Sequence, residues 1–323
     1  MLRNPLSALG GRRVGAHLPL GEGLLKATDR AREIGATTLQ VFADNPTAWR
    51  RRSEPPKSLD AFRARLAEYG IAPLAVHGAY LINLAGPEED FWTRSIGVLA
   101  AELRMGAAFG AAAVNVHIGS HRGSGFEAGR RRLAEGLRRA FAELPVEPGA
   151  PIVTLENSAG GGDGMGATLP ELEAILEAAA ASGADTARIG FCLDTAHLWG
   201  AGHEISRPDV LDALLDEFDR RLGPERLAMI HLNDSKTALG SHLDRHQHVG
   251  AGSIGEAGMG HLLRHPRLSA VPFVLETPGM DEGYDALNMD RVRRLVAGRP
   301  LPRLSHAALS LKGSRARTGA PEG

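Results

Sequence analysis

The feature that most limits the fold of this chain is the regular alternation of eight short apolar segments with helical patterns. The apolar segments are typical of β-strands and cover residues 14–18, 38–43, 72–77, 113–118, 152–156, 188–194, 227–232 and 272–276. The clearest helical patterns cover residues 22–34, 58–69, 88–109, 126–144, 169–182, 207–222 and 290–297. Such alternation indicates a parallel sheet, and a count of eight favours a closed (β/α)8 TIM barrel over an open sheet. We therefore expect an α/β protein with a single barrel domain over residues 1–298.

Two stretches lack this pattern. Residues 233–255 form a long irregular segment that contains several His and Asp residues, and a loop of that length in a compact domain is usually functional. Residues 299–323 consist mainly of Arg, Ser, Gly, Pro and Ala, which predicts a disordered, basic C-terminal tail. Its Lys312, Arg315 and Arg317 are interpreted as solvated, with contact to a polyanion as the alternative.

Composition narrows the classes of partner and the compartment. The net charge is −1 and the pI is near 6.9, so nucleic-acid binding would need a local basic patch or bound cations. The single cysteine, Cys192, excludes an internal disulfide and thiolate-cluster metal sites, and it favours a reducing compartment. We find neither an apolar run of membrane length nor a secretion signal. The expectation is a cytoplasmic protein with no membrane association.

Nine His, Asp and Glu residues fall at the ends of the predicted strands or in the loops after them. They are His77, His117, Glu156, Asp194, His197, His231, Asp244, His246 and Glu276. In a (β/α)8 barrel the carboxyl ends of the strands form the face where active sites are built, so these side chains should converge. Any one of them alone is more often a structural hydrogen-bonding residue. Together they would suffer carboxylate repulsion and costly desolvation unless divalent cations were bound.

The residue types in this set indicate which cations would bind. Imidazole and carboxylate without thiolate suit Zn²⁺, with Mn²⁺ and Fe²⁺ as alternatives. Nine ligands exceed the needs of one tetrahedral ion, so the sequence predicts two or three ions with a carboxylate bridging at least one pair. Clusters of this kind activate water and neutralise phosphodiester oxygens during in-line displacement. Phosphoryl hydrolysis is therefore the predicted chemistry.

Eight short motifs resemble those of the endonuclease IV family of apurinic/apyrimidinic endonucleases, also called deoxyribonuclease IV. The motifs are GAH (15–17), VHGAYL (76–81), NVHIGSH (115–121), LENSAG (155–160), CLDTAH (192–197), HLNDSK (231–236), DRH (244–246) and LETP (275–278). They occur in the family's order over about residues 10–280. The resemblance implies hydrolysis of the phosphodiester 5′ to abasic sites in duplex DNA, leaving a 3′-hydroxyl and a 5′-deoxyribose phosphate.

The resemblance also implies a trinuclear zinc centre and assigns its ligands. His77, His117 and Glu156 would hold one ion. The catalytic Glu156 would bridge to a second ion, which Asp194, His231 and Glu276 would complete. The third ion would be held by His197, Asp244 and His246. In this assignment the Thr195-Ala196 turn sets the spacing between two ion sites.

Residues that contact DNA in this family can be carried over in the same way. Tyr80 and Leu81 match a wedge that enters the minor groove, and Asn45 lies in a loop that supplies a second wedge. That second wedge is usually Arg, whereas this chain has Thr47. The arginines at 50–52 are either substitute phosphate contacts or a solvated face.

Four further residues fall in matching motifs and are predicted to support the ligands or to contact phosphate. They are His17, His121, Asn233 and Lys236. The remaining histidines match no ligand position and receive no role; they are His203, His242, His248, His261, His265 and His306. We expect a monomer.

Two other functions remain as alternatives. Divalent-metal sugar isomerases and epimerases share this barrel, but they generally need one or two ions and a proton-transferring residue. The third group of His197, Asp244 and His246 argues against them. A damage-binding protein with an inactive site is disfavoured because every ligand position is filled.

Overall fold

A computed structural model describes residues 4–144, 147 and 149–311 of the chain. Its strands, in chain order, are β1 (Val14–His17), β2 (Thr38–Phe42), β3 (Leu74–His77), β4 (Ala113–His117), β5 (Ile152–Glu156), β6 (Ile189–Asp194), β7 (Leu227–His231), β8 (Asp234–Ser235), β9 (His246–Gln247) and β10 (Phe273–Leu275). Strands β1–β7 and β10 close a parallel barrel in which chain neighbours pair and β10 pairs with both β7 and β1. Strands β8 and β9 form a separate antiparallel ribbon.

Helices connect the barrel strands. They are α1 (Pro5–Ala8), α2 (Leu24–Glu33), α3 (Leu59–Tyr69), α4 (Glu89–Phe109), α5 (Phe126–Ala142), α6 (Leu169–Ser182), α7 (Thr195–Gly200), α8 (Pro208–Arg221), α9 (Gly255–Arg264), α10 (Tyr284–Val296) and α11 (His306–Ser310). The single closed (β/α)8 barrel predicted from the sequence is confirmed, and its strands fall within the predicted segments.

Local sequence signals explain where several helices begin and end. Helices α3, α4 and α6 end at Gly70, Gly110 and Gly183, whose φ angles of 66°, 72° and 81° are left-handed and favour glycine. Helix α6 begins after Thr168, whose side chain accepts a hydrogen bond from the backbone N–H of Glu171. These ends direct the chain back to the start of the next strand.

The sequence prediction missed helix α9, which follows the long irregular segment 233–255. Glycines at 255, 258 and 260 lower the intrinsic helix propensity of this stretch. The helix forms because it buries Met259, Leu262 and Leu263 against the barrel. Tertiary packing therefore overrides local preference here.

The inside of the barrel is layered by the alternation of side chains along each strand. Ala75, Cys192, Met229 and Val274 form one buried apolar cluster. Each lies two positions before a predicted ligand, namely His77, Asp194, His231 and Glu276. Residues two apart on a strand face the same side, so this cluster forms a floor beneath the ligands. Burial raises the pKa of the free Cys192 thiol to about 12, so it remains protonated.

The C-terminal segment departs from the expected disorder. Residues 299–311 are described, and α11 begins after Ser305, whose side chain caps the backbone N–H of Ala308. His248 Nε2 donates to the Ala308 carbonyl (3.1 Å), and Arg291 Nη1 donates to the Pro302 carbonyl (2.9 Å). The predicted start of the disordered tail at 299 is therefore wrong, because polar contacts to backbone carbonyls hold residues 299–311 in place. Contacts of this kind leave no hydrophobic periodicity in the sequence. Residues 312–323 lie outside the described residues.

Among the described residues, no helix combines the length and the apolar character needed to cross a membrane.

Candidate metal centre

The nine predicted ligands converge at the carboxyl edge of the barrel. Five of them end consecutive strands β3 to β7, namely His77, His117, Glu156, Asp194 and His231. Glu276 directly follows β10, His197 lies in α7, His246 begins β9, and Asp244 lies in the loop before it. The parallel barrel thus brings residues that are 199 positions apart in sequence to one mouth.

The first ligand group consists of His77, His117 and Glu156, and one ligand atom of each lies within 4.8 Å of the others. The Oε2 atom of Glu156 is 3.7 Å from His77 Nε2 and 3.5 Å from His117 Nε2. Glu156 is buried, whereas the His117 side chain is 44% exposed. This group therefore opens to solvent on one side.

The second group shares Glu156 with the first. Its other members are Asp194, His231 and Glu276, all within the same 4.8 Å limit. His231 Nδ1 lies 3.2 Å from Glu156 Oε1 and 3.3 Å from Glu276 Oε2. One carboxylate thus belongs to two neighbouring groups.

The third group also shares a carboxylate. It contains Asp194, His197 and His246, with Asp244 oxygens 3.3 Å from His197 Nε2 and 3.0 Å from His246 Nε2. The resemblance assigned Asp194 only to the second ion, together with His231 and Glu276. In the structure, however, its Oδ2 lies 3.5 Å from His246 Nε2. Asp194 therefore belongs to two groups, as Glu156 does.

Helix α7 fixes the relation between Asp194 and His197. The predicted Thr195-Ala196 turn is the first turn of this helix. Asp194 is its N-cap, and its Oδ1 accepts a hydrogen bond from the backbone N–H of His197 (2.9 Å). The three-residue spacing thus has a structural cause, because the cap bond joins the two residues.

Hydrogen bonds to the ring nitrogens indicate which atom of each histidine is free to bind a cation. Nδ1–H donors pair with backbone carbonyls for His77 with Gly78 (2.8 Å), His197 with Asn157 (2.8 Å) and His246 with Glu276 (2.9 Å). Their Nε2 lone pairs then face carboxylate oxygens, of which the nearest is an Asp244 oxygen 3.0 Å from His246 Nε2. Two acceptors cannot face each other without a cation between them, so a second proton or a metal ion is required.

The charges in the site also indicate that a proton or a metal ion must lie between the histidines and the carboxylates. Burial would raise the pKa of the Glu156 carboxyl, but the charges of His231 and His117 hold it well below its usual value. Burial lowers the pKa of His246, yet Asp194 and Asp244 raise it to about 9. Carboxylates packed this closely therefore demand positive charge, and divalent ions supply it with the donor set present.

Gln40, a residue that the sequence analysis did not select, connects two ligands. Its Nε2 donates to Glu276 Oε1 (2.7 Å), and its Oε1 accepts from His231 Nε2 (3.1 Å). This leaves His231 Nδ1 facing the carboxylates. The signal available in the sequence was a glutamine in the middle of the strand-like segment 38–43.

Asn115 and Asn157 orient the other ligands and were also missed. Asn115 Nδ2 donates to Glu156 Oε2 (2.6 Å), and the Asn157 Oδ1 atom accepts from the backbone N–H of Asp194 (2.7 Å). Asn115 lies two residues before His117 on β4, so both belong to one face of the strand. That spacing was the signal in the sequence.

The four predicted supporting residues divide into two pairs. His17 Nδ1 lies 3.3 Å from Glu276 Oε1, and Asn233 Nδ2 donates to Asp194 Oδ2 (2.7 Å). His121 instead accepts from the backbone N–H of Gly125 (3.2 Å). Lys236 donates to the Leu311 carbonyl. Only His17 and Asn233 thus contact the ligand cluster directly, whereas Lys236 is engaged by the C-terminal segment.

The predicted DNA-contacting residues lie on the rim of the mouth. Tyr80 is 39% exposed, and its ring centre is 5.8 Å from that of His77. Its backbone N–H donates to the Pro46 carbonyl (3.1 Å), which joins this rim to the loop of Asn45. Leu81 is partly buried, and the exposed Asn45 accepts two hydrogen bonds from Thr47, at 3.0 Å to N–H and 2.9 Å to Oγ1. The two predicted wedge positions therefore lie close together.

Arg51 is unavailable for phosphate contact because its side chain is only 9% exposed and its guanidinium is engaged by neighbouring groups. Its guanidinium donates to Glu102 Oε1 (3.2 Å) and to the carbonyl of Asn45 (3.0 Å), and it also donates to Ala48. The interpretation of residues 50–52 as a uniformly solvated or phosphate-binding run is wrong at Arg51. The Arg51 guanidinium instead holds the loop that contains Thr47, through its hydrogen bonds to the Asn45 and Ala48 carbonyls.

Comparisons with known proteins place this barrel among nucleases. Residues 28–296 match the family model described as a xylose isomerase-like TIM barrel. The chain is 38% identical to the probable endonuclease 4 of Halothermothrix orenii, covering 86% of this chain and 99% of the relative. It is 37% identical to that of Methanoculleus marisnigri, with coverages of 88% and 98%.

Solved structures give a consistent result. The crystal structure of endonuclease IV from Thermus thermophilus shares 37% identity at a TM-score of 0.76, covering 88% of this chain and 99% of that one. A 3-keto-D-glucoside 4-epimerase from E. coli has a TM-score of 0.60 at 13% identity, covering 87% and 99%. At that identity the likeness to the epimerase shows the fold alone.

Replacing Gln40 tests whether it positions the ligands. Gln40→Met keeps the side-chain length but removes the donor to Glu276 and leaves His231 Nε2–H without its acceptor. We expect metal retention at the mouth to weaken about 10- to 100-fold, measured by competition with a chelator. Thr28→Val is the control, because it removes a buried hydrogen bond in α2 (2.8 Å to Leu24) away from the mouth. Equal retention in both variants would contradict this role.

The buried Arg51–Glu102 pair predicts a pH-dependent stability. Burial raises the pKa of Glu102 from 4.5 to about 7, although Arg51 opposes this. A raised carboxyl pKa favours the folded state below the unfolded value and loses that contribution as pH rises through the folded value. The unfolding free energy of wild type minus that of Glu102→Gln should fall by about 3 kcal/mol between pH 4.5 and 7 in urea titrations. Glu143→Gln, at an exposed carboxylate on the outer surface, is the control. The same pH dependence for Glu102→Gln and Glu143→Gln would refute the prediction.

Proposed function

Because the chain belongs to the endonuclease IV family and is therefore a metal-dependent DNA repair endonuclease, we propose that it hydrolyses the phosphodiester 5′ to abasic sites in duplex DNA. The proposed centre holds three zinc ions, with Mn²⁺ or Fe²⁺ as alternatives at some positions. The products are a 3′-hydroxyl and a 5′-deoxyribose phosphate. The observation that carries this proposal is the overlap of three ligand groups through the shared Glu156 and Asp194.

The overlap favours several ions over one. Glu156 offers Oε2 to His77 and His117, and Oε1 to His231, so its two oxygens face different imidazoles. Asp194 likewise lies near His231 (4.0 Å) and His246 (3.5 Å). A single tetrahedral ion needs four ligands and would leave most of these buried charges unpaired.

Bound divalent ions would activate water and neutralise phosphodiester oxygens, which is the chemistry that this donor set suits. The chain's own residues hold that donor set in place. Asn115 fixes the rotation of the Glu156 carboxylate, and Gln40 fixes Glu276 against His231. These amides are neutral, so they orient the carboxylates without reducing the negative charge that attracts cations.

None of the carboxylates described at the mouth is free to serve as a separate general base. The carboxylates there belong to the ligand groups or, for Asp244, contact two of their histidines. Burial and the nearby Glu276 raise the pKa of Tyr80, so its hydroxyl remains protonated. Tyr80 is thus suited to stack against a base or sugar and to donate a hydrogen bond, but not to remove a proton.

DNA distortion in this proposal relies on Tyr80 and Leu81. The neighbouring loop carries the short Thr47 where the family usually has Arg, and Thr47 is hydrogen-bonded to Asn45. The Arg51 guanidinium donates instead to Glu102 and to the Asn45 carbonyl. With a net charge of −1, attraction of the DNA backbone depends on local charge, to which the bound cations contribute.

We also propose that the protein is a monomer located in the cytoplasm. The exposed large apolar side chains of the described residues are Tyr80, Leu239, Leu243 and Leu309. None of them lies on helices α2–α6 or α8–α10, so these outer helices present no obvious apolar interface. The unpaired Cys192 is compatible with a reducing compartment.

Incision of a duplex with one tetrahydrofuran abasic analogue tests this function. We expect cleavage on the 5′ side of the analogue by wild type, and loss of cleavage with a chelator. Glu156→Gln should abolish cleavage while preserving the circular dichroism spectrum, because an amide cannot serve two cations. The loss should exceed the 10- to 100-fold typical for an outer-shell residue.

The control for that experiment is Glu135→Gln, which changes a carboxylate on the outer helix α5 that pairs with Arg138 and Arg139. It should incise at the wild-type rate. Retained cleavage in Glu156→Gln would show that the shared carboxylate is not needed. Absence of incision together with turnover of a ketose would favour the sugar isomerase or epimerase instead.

A further inference from the structure

A second cluster of metal-type ligands lies between helices α8 and α9, away from the barrel mouth. It consists of Asp212 on α8, His261 in the last turn of α9, and His265 directly after α9. One ligand atom of each lies within 4.8 Å of the others. The His265 carbonyl accepts from Arg12 Nη2 (3.2 Å), and Arg12 lies just before β1. The cluster is therefore near the amino end of the barrel strands, opposite the candidate metal centre.

The spacing of the two histidines suits chelation. His265 is the C-cap residue of α9, four positions after His261, and a His pair at this spacing can hold one metal ion when both rings face the same side. The rings of His261 and His265 have centres 5.5 Å apart. Both lie at the C-terminal end of α9, where the helix dipole favours a cation.

Two ring nitrogens in this cluster have no hydrogen-bond partner in the protein. His265 is 5% exposed, and its Nε2 contacts Asp212 Oδ1 at 2.8 Å. Its Nδ1 and the Nε2 of His261 are both buried and have no hydrogen-bond partner. Buried polar atoms are normally paired, so two unpaired imidazole nitrogens in one cluster point to a missing partner.

The surrounding charges permit a cation. Arg267 pairs with Asp216 and Asp219 on α8. Arg264 donates to the Leu295 carbonyl. The Asp212 side chain is 57% exposed, which gives an ion a path from solvent.

We propose that Asp212, His261 and His265 form a separate site for one divalent transition-metal ion of the zinc type. Zinc binds imidazole nitrogen at about 2.0–2.1 Å and carboxylate oxygen at about 2.0–2.2 Å, so ligand atoms of a tetrahedral site are about 3.3 Å apart. Small side-chain rotations reach that arrangement from separations within 4.8 Å. Three protein ligands leave a fourth position for water. A bound ion cross-links α8 to the end of α9 and stabilises this side of the barrel.

Metal content gives a direct test that does not depend on the DNA substrate. The holoenzyme and its variants are dialysed against buffered free Zn²⁺, and zinc per chain is measured by mass spectrometry. His261→Gln should bind one equivalent less than wild type, and Asp212→Asn, at an exposed carboxylate, should show the same loss. Asp216→Asn on the same helix and His306→Gln on exposed α11 are matched controls that keep the wild-type content.

Thermal unfolding and incision assays separate this site from the mouth. Added Zn²⁺ should raise the Tm of wild type and of the two controls, Asp216→Asn and His306→Gln. The Tm of His261→Gln and Asp212→Asn should rise less, because these two variants lack a ligand of the proposed site. Incision by His261→Gln should match wild type. Equal zinc content in wild type, His261→Gln and Asp212→Asn would overturn the proposal. Loss of one equivalent together with loss of incision would assign that ion to the mouth and would also overturn it.

Discussion

The buried Glu156 carboxylate at the end of β5 is the group on which the rest of this structure's chemistry depends. It is 1% exposed and lies within 3.7 Å of ring nitrogens from β3, β4 and β7. A buried charge of this kind is stable only when compensated and hydrogen-bonded, and Asn115 supplies the closest donor at 2.6 Å. Because its partners come from different strands, the barrel must close before the carboxylate is satisfied. Fold and site are thus mutually dependent.

The pleat of the barrel strands explains how so many polar groups are held at one level. Apolar Ala75, Cys192, Met229 and Val274 lie one inward-facing position below four of the ligands. On β4 and β5 the equivalent positions are Asn115 and Thr154, and Thr154 donates to Asn115 (2.9 Å). The floor is therefore apolar beneath most of the site and polar beneath Glu156, where an amide has to orient the shared carboxylate.

Much of this was predictable from sequence, because strand periodicity and the carboxyl-end rule are local signals. They predicted the barrel, which is confirmed, and the nine candidate ligands, which the structure brings together at one mouth. Features that arise from long-range packing were not predictable. Helix α9 forms although it contains three glycines. Asp194 belongs to two ligand groups, and the Arg51 side chain pairs with Glu102. His265 was given no role, since its relation to Asp212 is visible only when α8 and α9 are packed together.

Anomalous diffraction at the zinc absorption edge, from crystals of the holoenzyme grown without chelator, would locate the ions that we propose at the barrel mouth. We expect three peaks there, one beside each ligand group, with Glu156 between two of them and Asp194 beside the third. A single peak at the mouth, or peaks that leave Glu156 without contact to any ion, would refute the proposed cluster.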